Sequence, residues 1–420
     1  MLCLLVSASA GARISSPTAS APSQRSRRSG NKKVLMLISD TGGGHRASAL
    51  ALEAAMLEER PKGMEVKVVD IWTDYGTWPS NKMAAGYPFV CKHPWIWRSM
   101  YYATKHLERP WQALCRASSG SGFKRCIAEY DPDMVVSLHP LCQNLPLKVM
   151  DTIAKSRGEP GRQVPFATVC TDLGSAHPSW FKGDVDLCFV ASEAVRKVAH
   201  RRGLAESKLR NYGLPVRKAF WRASERSGQA STELREQLGL RPGLKTVLVV
   251  GGGDGVGSLG SIVEATAAQL AKDCPGAAQV VAICGKNKQV KAKLEGMAWD
   301  GVHVEVRGFC SAMSDYMEAA DCLVTKAGPG TIAEAAIRGL PTMLSTHLPG
   351  QEAGNVPFVV NKGFGEFSRK PEVIAQTVSG WLKDEDELAR KSAAALAAGQ
   401  PDATNLIAKD LLVLLDEWKP

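Results

Sequence analysis

The sequence predicts an α/β protein of two domains, each a parallel sheet covered by helices on both faces. Three observations lead to that class. The chain has 420 residues, too many for one ordinary core, because single cores stop growing at about 250 to 300 residues. Short apolar runs of strand length alternate with helical periodicities along most of the chain, the pattern of parallel strands joined by crossover helices. The alternation is interrupted once, at the polar, Ser- and Arg-rich stretch 222–229, and then starts again. With 45% hydrophobic, 22% charged and 6% aromatic residues, the composition is that of a globular protein and excludes disordered and fibrous classes.

The elements follow in order. Residues 1–39 contain no acid and carry Arg13, Arg25, Arg27, Arg28, Lys32 and Lys33 among many Ser and Ala, a transit-peptide composition. A secretory signal is the alternative, because residues 2–6 are apolar, but that run is short and no basic segment precedes it. We take 1–32 as the leader. The first domain, 33–222, opens with the strand Lys33 to Ser39, the turn Thr41 to Gly44, and a helix whose apolar positions are Ala47, Leu50, Ala54 and Leu57. Val66 to Ile71, Met134 to Leu138, Phe166 to Cys170 and Leu187 to Ala191 are its further strands. The second domain, 223–400, carries Thr246 to Val250, Val280 to Cys284, Val302 to Arg307, Cys322 to Thr325 and Thr342 to Ser345. Residues 401–420 form a terminal helix over Thr404 to Trp418, expected to return to the first domain. Nothing in the chain reaches the roughly 18 consecutive apolar residues of a spanning helix, so membrane contact is expected to be peripheral. The 11 cysteines include no C-x-x-C pair, which argues against zinc and disulfide scaffolds.

Two glycine-rich turns carry chemistry. In Ser39-Asp40-Thr41-Gly42-Gly43-Gly44-His45-Arg46 a strand passes through glycines into a helix, so backbone N–H groups face a ligand and His45 stands at the sheet's carboxyl edge. A neutral imidazole there takes a proton from an attacking hydroxyl near pH 7. In Lys326-Ala327-Gly328-Pro329-Gly330-Thr331 a second strand meets the helix Ile332 to Arg338. Amides and the helix end suit a diphosphate, Lys326 adds a charge, and Glu334 is expected to accept from ribose hydroxyls. Gly328, Gly330 and Ala333 also satisfy a dinucleotide G-x-G-x-x-A spacing, but late in their domain, where that fingerprint does not belong. Gly251, Gly252 and Gly253 form the second domain's first loop. Gln351, Glu352 and Asn355 make a polar cluster suited to sugar hydroxyls, and Arg217 near the domain boundary is expected to reach a phosphate. The pairs Asp131 with Asp133 and Asp184 with Asp186 begin strands and read as structural, so no metal is expected.

A net charge of +10 and a pI near 9 favour anionic partners without choosing among them. Residues 75–128 hold eight Lys or Arg against one acid, Glu108, with Trp78, Trp95, Trp97, Trp111, Tyr101, Tyr102 and Arg98 among them. Rings beside cations suit a lipid headgroup boundary. Nucleic acid uses similar chemistry, but no nucleic-acid motif accompanies the stretch, and the membrane reading is preferred.

These blocks together carry a family resemblance. SDTGGGHRASA, GYPFV followed by KH, TDLGSAHPSWF, YGLPVR, VVGGGDGVG, ICGKNK, VRGF, TKAGPGTIAEAAIRGLP and PGQEAGNVPFVV, in this order from Lys33 to about Trp381, resemble plant and algal monogalactosyldiacylglycerol synthases. The resemblance implies a GT-B fold of two Rossmann-like domains facing a cleft, and inverting transfer of galactose from UDP-galactose to 1,2-diacylglycerol without a cofactor. It further implies a peripheral place at the chloroplast envelope and activation by anionic lipids such as phosphatidic acid and phosphatidylglycerol. By the same resemblance His45 matches the catalytic base. Arg217, Gly251 to Gly253, Gly308, Phe309, Met313, Lys326 to Thr331, Glu334, Gln351, Glu352 and Asn355 fall at donor-site motifs. The chain departs from the family pattern at Pro178, usually basic, and at Asn144, usually His. The alternatives are a transferase with another lipid acceptor, a lipid-binding relative without turnover and, more distantly, a nicotinamide-dependent dehydrogenase.

Overall fold

The structure, a computed structural model, describes residues 30–222, 228–251 and 258–419. The leader up to residue 29 lies outside the described residues, as does most of the stretch chosen as the domain boundary.

Apolar strand runs are buried on both faces, as parallel sheets require. Val34 to Ile38, at the core of β1 (Lys32–Ile38), are wholly inaccessible. It is joined in the first sheet by β2 (Met64–Asp70), β3 (Met134–Ser137), β4 (Phe166–Val169), β5 (Leu187–Val190) and β6 (Leu209–Asn211), in the order β2-β1-β3-β4-β5-β6. The second sheet contains β7 (Lys245–Val250), β8 (Ala278–Ile283), β9 (His303–Arg307), β10 (Cys322–Thr325), β11 (Thr342–Leu344) and β12 (Gly365–Phe367), in the order β12-β11-β10-β7-β8-β9. All pairings are parallel; Met36 lies opposite both Val68 and Val136, and Val249 opposite both Ala282 and Val324. Strand order therefore reverses between β1 and β3, and again between β7 and β10. Open α/β sheets bind ligands in the crevice at such switch points.

The predicted strands are present, with ends moved by a residue or two. Ile71, expected to end β2, instead opens the helix Ile71–Tyr75, because the Asp70 carboxylate accepts from Thr73 N and caps it. The edge strands β6 and β12 were not predicted. Each has three residues, only one of them buried, so neither forms an apolar run. The turn expected over Thr41 to Gly44 is shorter than predicted: Gly42, at φ +88°, is the cap, and the helix Gly43–Glu59 starts inside the glycine run. The helix expected from Ile332 begins earlier, as Pro329–Ile337, since proline is preorganised for a first helical position.

Residues 83–130 form three helices, Met83–Lys92, Pro94–His106 and Glu108–Tyr130. Phe123, Cys126 and Ile127 anchor the last of them in the first domain's core. The terminal helix Ala403–Glu417 buries Ile407, Ala408, Leu411 and Leu415 in the cluster that contains Val34, Met36 and Ile38.

Candidate active site

Both switch points carry the glycine turns. His45 sits in the first turn of the helix after β1, buried, with Nδ1 at 2.9 Å from Thr171 Oγ1. Its ring meets His139, the second residue past β3, edge-on at 4.5 Å. His139 Nδ1 accepts from Leu141 N, so Nε2 carries the proton and donates to Thr41 Oγ1 at 2.9 Å. Burial lowers the His45 pKa to about 4, against a hydrogen bond to the Leu138 backbone and the Asp40 charge. The ring is therefore neutral at pH 7. Asp172, after β4, is buried as well and is raised to about 6 by that burial; bonds from Trp180 Nε1 (2.8 Å) and His177 N (3.2 Å) oppose the shift, and the Glu352 charge adds to it.

On the other sheet, Lys326 and Ala327 follow β10, and Gly328 caps the helix Pro329–Ile337. A side chain on Gly330 would meet nothing within 4 Å, so the helix end is open to a ligand. Thr331 is in the same turn. A shallow, solvent-open depression lies against Gly251, Ser258, Lys326, Ser345 and Thr346, at the ends of β7, β10 and β11. Gly252 and Gly253 lie outside the described residues. Gly308 and Phe309 follow β9, with Phe309 70% exposed, and Met313 opens the helix Met313–Ala319 at the edge of the second domain's core.

Several predicted ligand groups already have protein partners. Glu334, expected to accept from a ribose, accepts from Arg217 Nε and Nη2 at 3.1 and 2.9 Å. Burial raises the Glu334 pKa, and Arg217 offsets the shift. Lys326 pairs with Glu352, whose other oxygen accepts from Leu348 N at 2.9 Å. Asn355 is no exposed loop residue. Its oxygen accepts from Gly174 N at 2.7 Å and its amide donates to Ala327 O at 2.8 Å, which ties one domain to the other. Gln351 differs: its Oε1 is buried with no donor among the described residues.

The expected membrane-facing residues divide. Trp78 and Trp95 are 77% and 70% exposed, and Arg98 lies over the exposed Tyr102 ring. Trp97 and Tyr101 face inward, correcting that expectation: Trp97 Nε1 donates to Pro349 O at 3.0 Å, and Tyr101 packs on Gly350. Asp133 accepts from Lys33 N, and Asp186 from Arg162 and Phe166 N, which are structural duties. Among the described residues no group of three or more His, Cys, Asp or Glu is placed to hold a metal ion, and no helix is long and apolar enough to cross a membrane.

Sequence reasoning did not single out His139, Thr171, His177 or Trp180. His139 carried the same signal as His45, a histidine just past a predicted strand. The others are recognisable only once the loop 171–180 folds over His45. Nor was a narrow, partly open groove foreseen, lined by Trp72, Cys115, Leu141 and Leu145 with Gln112, Asn144, His177 and Lys182. There Asn144 donates to Gln112.

Comparison with known proteins bears on this site. The family described as "Monogalactosyldiacylglycerol (MGDG) synthase" matches residues 45–216, and "Glycosyltransferase family 28 C-terminal domain" matches 246–407. A probable chloroplastic monogalactosyldiacylglycerol synthase of Nicotiana tabacum is 42% identical over 387 residues, 90% of this chain and 70% of its own. Monogalactosyldiacylglycerol synthase 1 of Arabidopsis thaliana, also chloroplastic, gives the same identity and coverage. Among solved structures, MurG of Acinetobacter baumannii superposes with a TM-score of 0.57 at 17% identity, covering 91% of this chain and 99% of its own. That likeness concerns the fold, which is GT-B.

Proposed function

Because the chain belongs to the monogalactosyldiacylglycerol synthase family, we propose that it moves galactose from UDP-galactose to the free hydroxyl of 1,2-diacylglycerol with inversion, making monogalactosyldiacylglycerol. One observation carries the mechanism. A buried neutral histidine after β1 is joined, through Thr171, the loop to Gly174 and Asn355, to the open helix end after β10.

The acceptor hydroxyl attacks the anomeric carbon opposite the diphosphate. Its proton passes to His45, the bond from that carbon to the diphosphate oxygen breaks, and one displacement inverts the configuration. Negative charge grows on the leaving UDP. The amides at Gly330 and Thr331, with Lys326 and Arg217, stabilise it in place. Glu352 and Glu334 hold those two cations ready, and diphosphate oxygens take over the same donors. Gln351, with its unsatisfied carboxamide oxygen, accepts from a sugar hydroxyl, and Gly251, Gly308, Phe309 and Met313 border the nucleotide. The groove at Trp72, Leu141 and Leu145 is where the apolar part of diacylglycerol enters. We assign no metal ion to the reaction, since fixed cations and amides supply the charge it would bring. The exposed Trp78, Trp95, Phe89 and Tyr102, among basic residues, fit peripheral attachment to an anionic face of the chloroplast envelope, where each Lys or Arg contributes roughly 1 kcal/mol.

The test uses diacylglycerol vesicles containing phosphatidylglycerol or phosphatidic acid, EDTA, and UDP-galactose or UDP-glucose. Galactolipid formed in EDTA is expected. Transfer from UDP-glucose alone moves the chain to another lipid transferase, and failure of both donors rejects the reading. His45→Ala should lower kcat by about 100-fold to 10,000-fold and change donor affinity little. Activity surviving that change transfers the base role to Asp172.

A further inference from the structure

We propose that Trp97 and Tyr101 are positioning residues that clamp the donor loop 349–355 from the acceptor side, so that the helix presented to the membrane also sets the loop that receives the donor sugar. The inference rests on the donor-site reading above.

The helix Pro94–His106 has two working faces. Trp97 and Tyr101, four residues apart, share one; Trp95, Arg98 and Tyr102, at spacings of three and four, share another, and these three are exposed. On the inner face, the Trp97 indole donates to Pro349 O at 3.0 Å. The Tyr101 ring covers Gly350, which holds φ +83°, and a Cβ there would lie 2.6 Å from Tyr101 Cδ1. Only a glycine permits that approach. The next two residues are Gln351, with its buried unpartnered oxygen, and Glu352, which holds Lys326. Tyr101 also meets the His177 ring edge-on at 5.0 Å, and the backbone of His177 donates to Asp172. From the opposite end, Gly174 donates to Asn355. The donor loop is thus gripped twice by the first domain, once by the Asp172 loop and once by the membrane-facing helix. A shift of that helix moves Pro349 and Gly350, and with them the side chain offered to the sugar.

The experiment measures UDP binding by calorimetry without vesicles, and steady-state kinetics with diacylglycerol vesicles, for the full chain and four variants. Trp97→Phe removes one N–H and Tyr101→Ala removes the ring. Each should raise the KM for UDP-galactose about fivefold or more, the lower range of couplings between sites, with a smaller change in the KM for diacylglycerol. Tyr101→Phe keeps the ring on Gly350 and should restore donor KM. Trp95→Ala, on the outer face, should weaken vesicle binding and leave the UDP dissociation constant as in the parent. If Trp97→Phe and Tyr101→Ala leave donor KM unmoved and lose vesicle binding instead, both are ordinary membrane contacts and the proposal fails. A parent chain that does not bind UDP overturns the donor-site reading and this inference with it; a parent that binds, with unaltered variants, overturns the inference alone.

Discussion

His45 is neutral because its ring is out of water, and that fixes how the reaction should respond to pH. Its pKa is depressed to about 4, so the base form exists above that value and is lost as pH falls through it. The Asp172 carboxyl, raised to about 6, would act as base only above about that value. The acid limb of kcat/KM for UDP-galactose should therefore fall near pH 4 if His45 is the base, and a limb near pH 6 would point to Asp172. His45 was legible in the sequence, because a strand, three glycines and a histidine announce a ligand turn. The depth of its pKa was not. The ring packs against Trp180 and His139, 135 and 94 positions away, and no local pattern encodes that company.

Among the elements, the loops are where local rules ran out. Central strands could be read because both faces are buried and their runs are apolar, and the edge strands β2 and β9 because valine recurs along them, whereas β6 and β12 are three-residue edge strands with no such pattern. The loops 171–180 and 349–355 look polar and exposed in sequence, yet they pack on each other. A Cβ on Gly174 would sit 1.9 Å from Gly354 O, so Gly174→Ala must push the two loops apart. Since a misplacement of about 1 Å can cost roughly 100-fold in rate, kcat/KM for this variant should drop by that order. Steady-state kinetics checks it, and near-parental activity would mean the loops need not touch. The same packing explains why Asn355, expected to bind sugar, spends both ends of its carboxamide on the protein.

For the whole molecule, the last helix joins the chain's end to its beginning. Leu411 is inaccessible and shares a cluster with Val34 and Met36 of β1. Leu411→Ala should therefore destabilise the first domain by about 2 to 5 kcal/mol, the usual cost of such a cavity, seen as a lower urea midpoint of the full chain. A midpoint unchanged by the substitution would mean the helix adds nothing to that core. By itself the sequence determined two parallel sheets, the helices between them and the two glycine turns with His45 and Lys326, because periodicity and turn chemistry act between residues close in the chain. Tertiary structure alone decided that His139 and Thr171 flank His45, that Arg217 meets Glu334, and that Trp97 and Tyr101 face Pro349 and Gly350. The first outcome depends on the strand order within one sheet and the others on how the two domains meet, relations between residues about 90 to 250 positions apart that no local pattern carries.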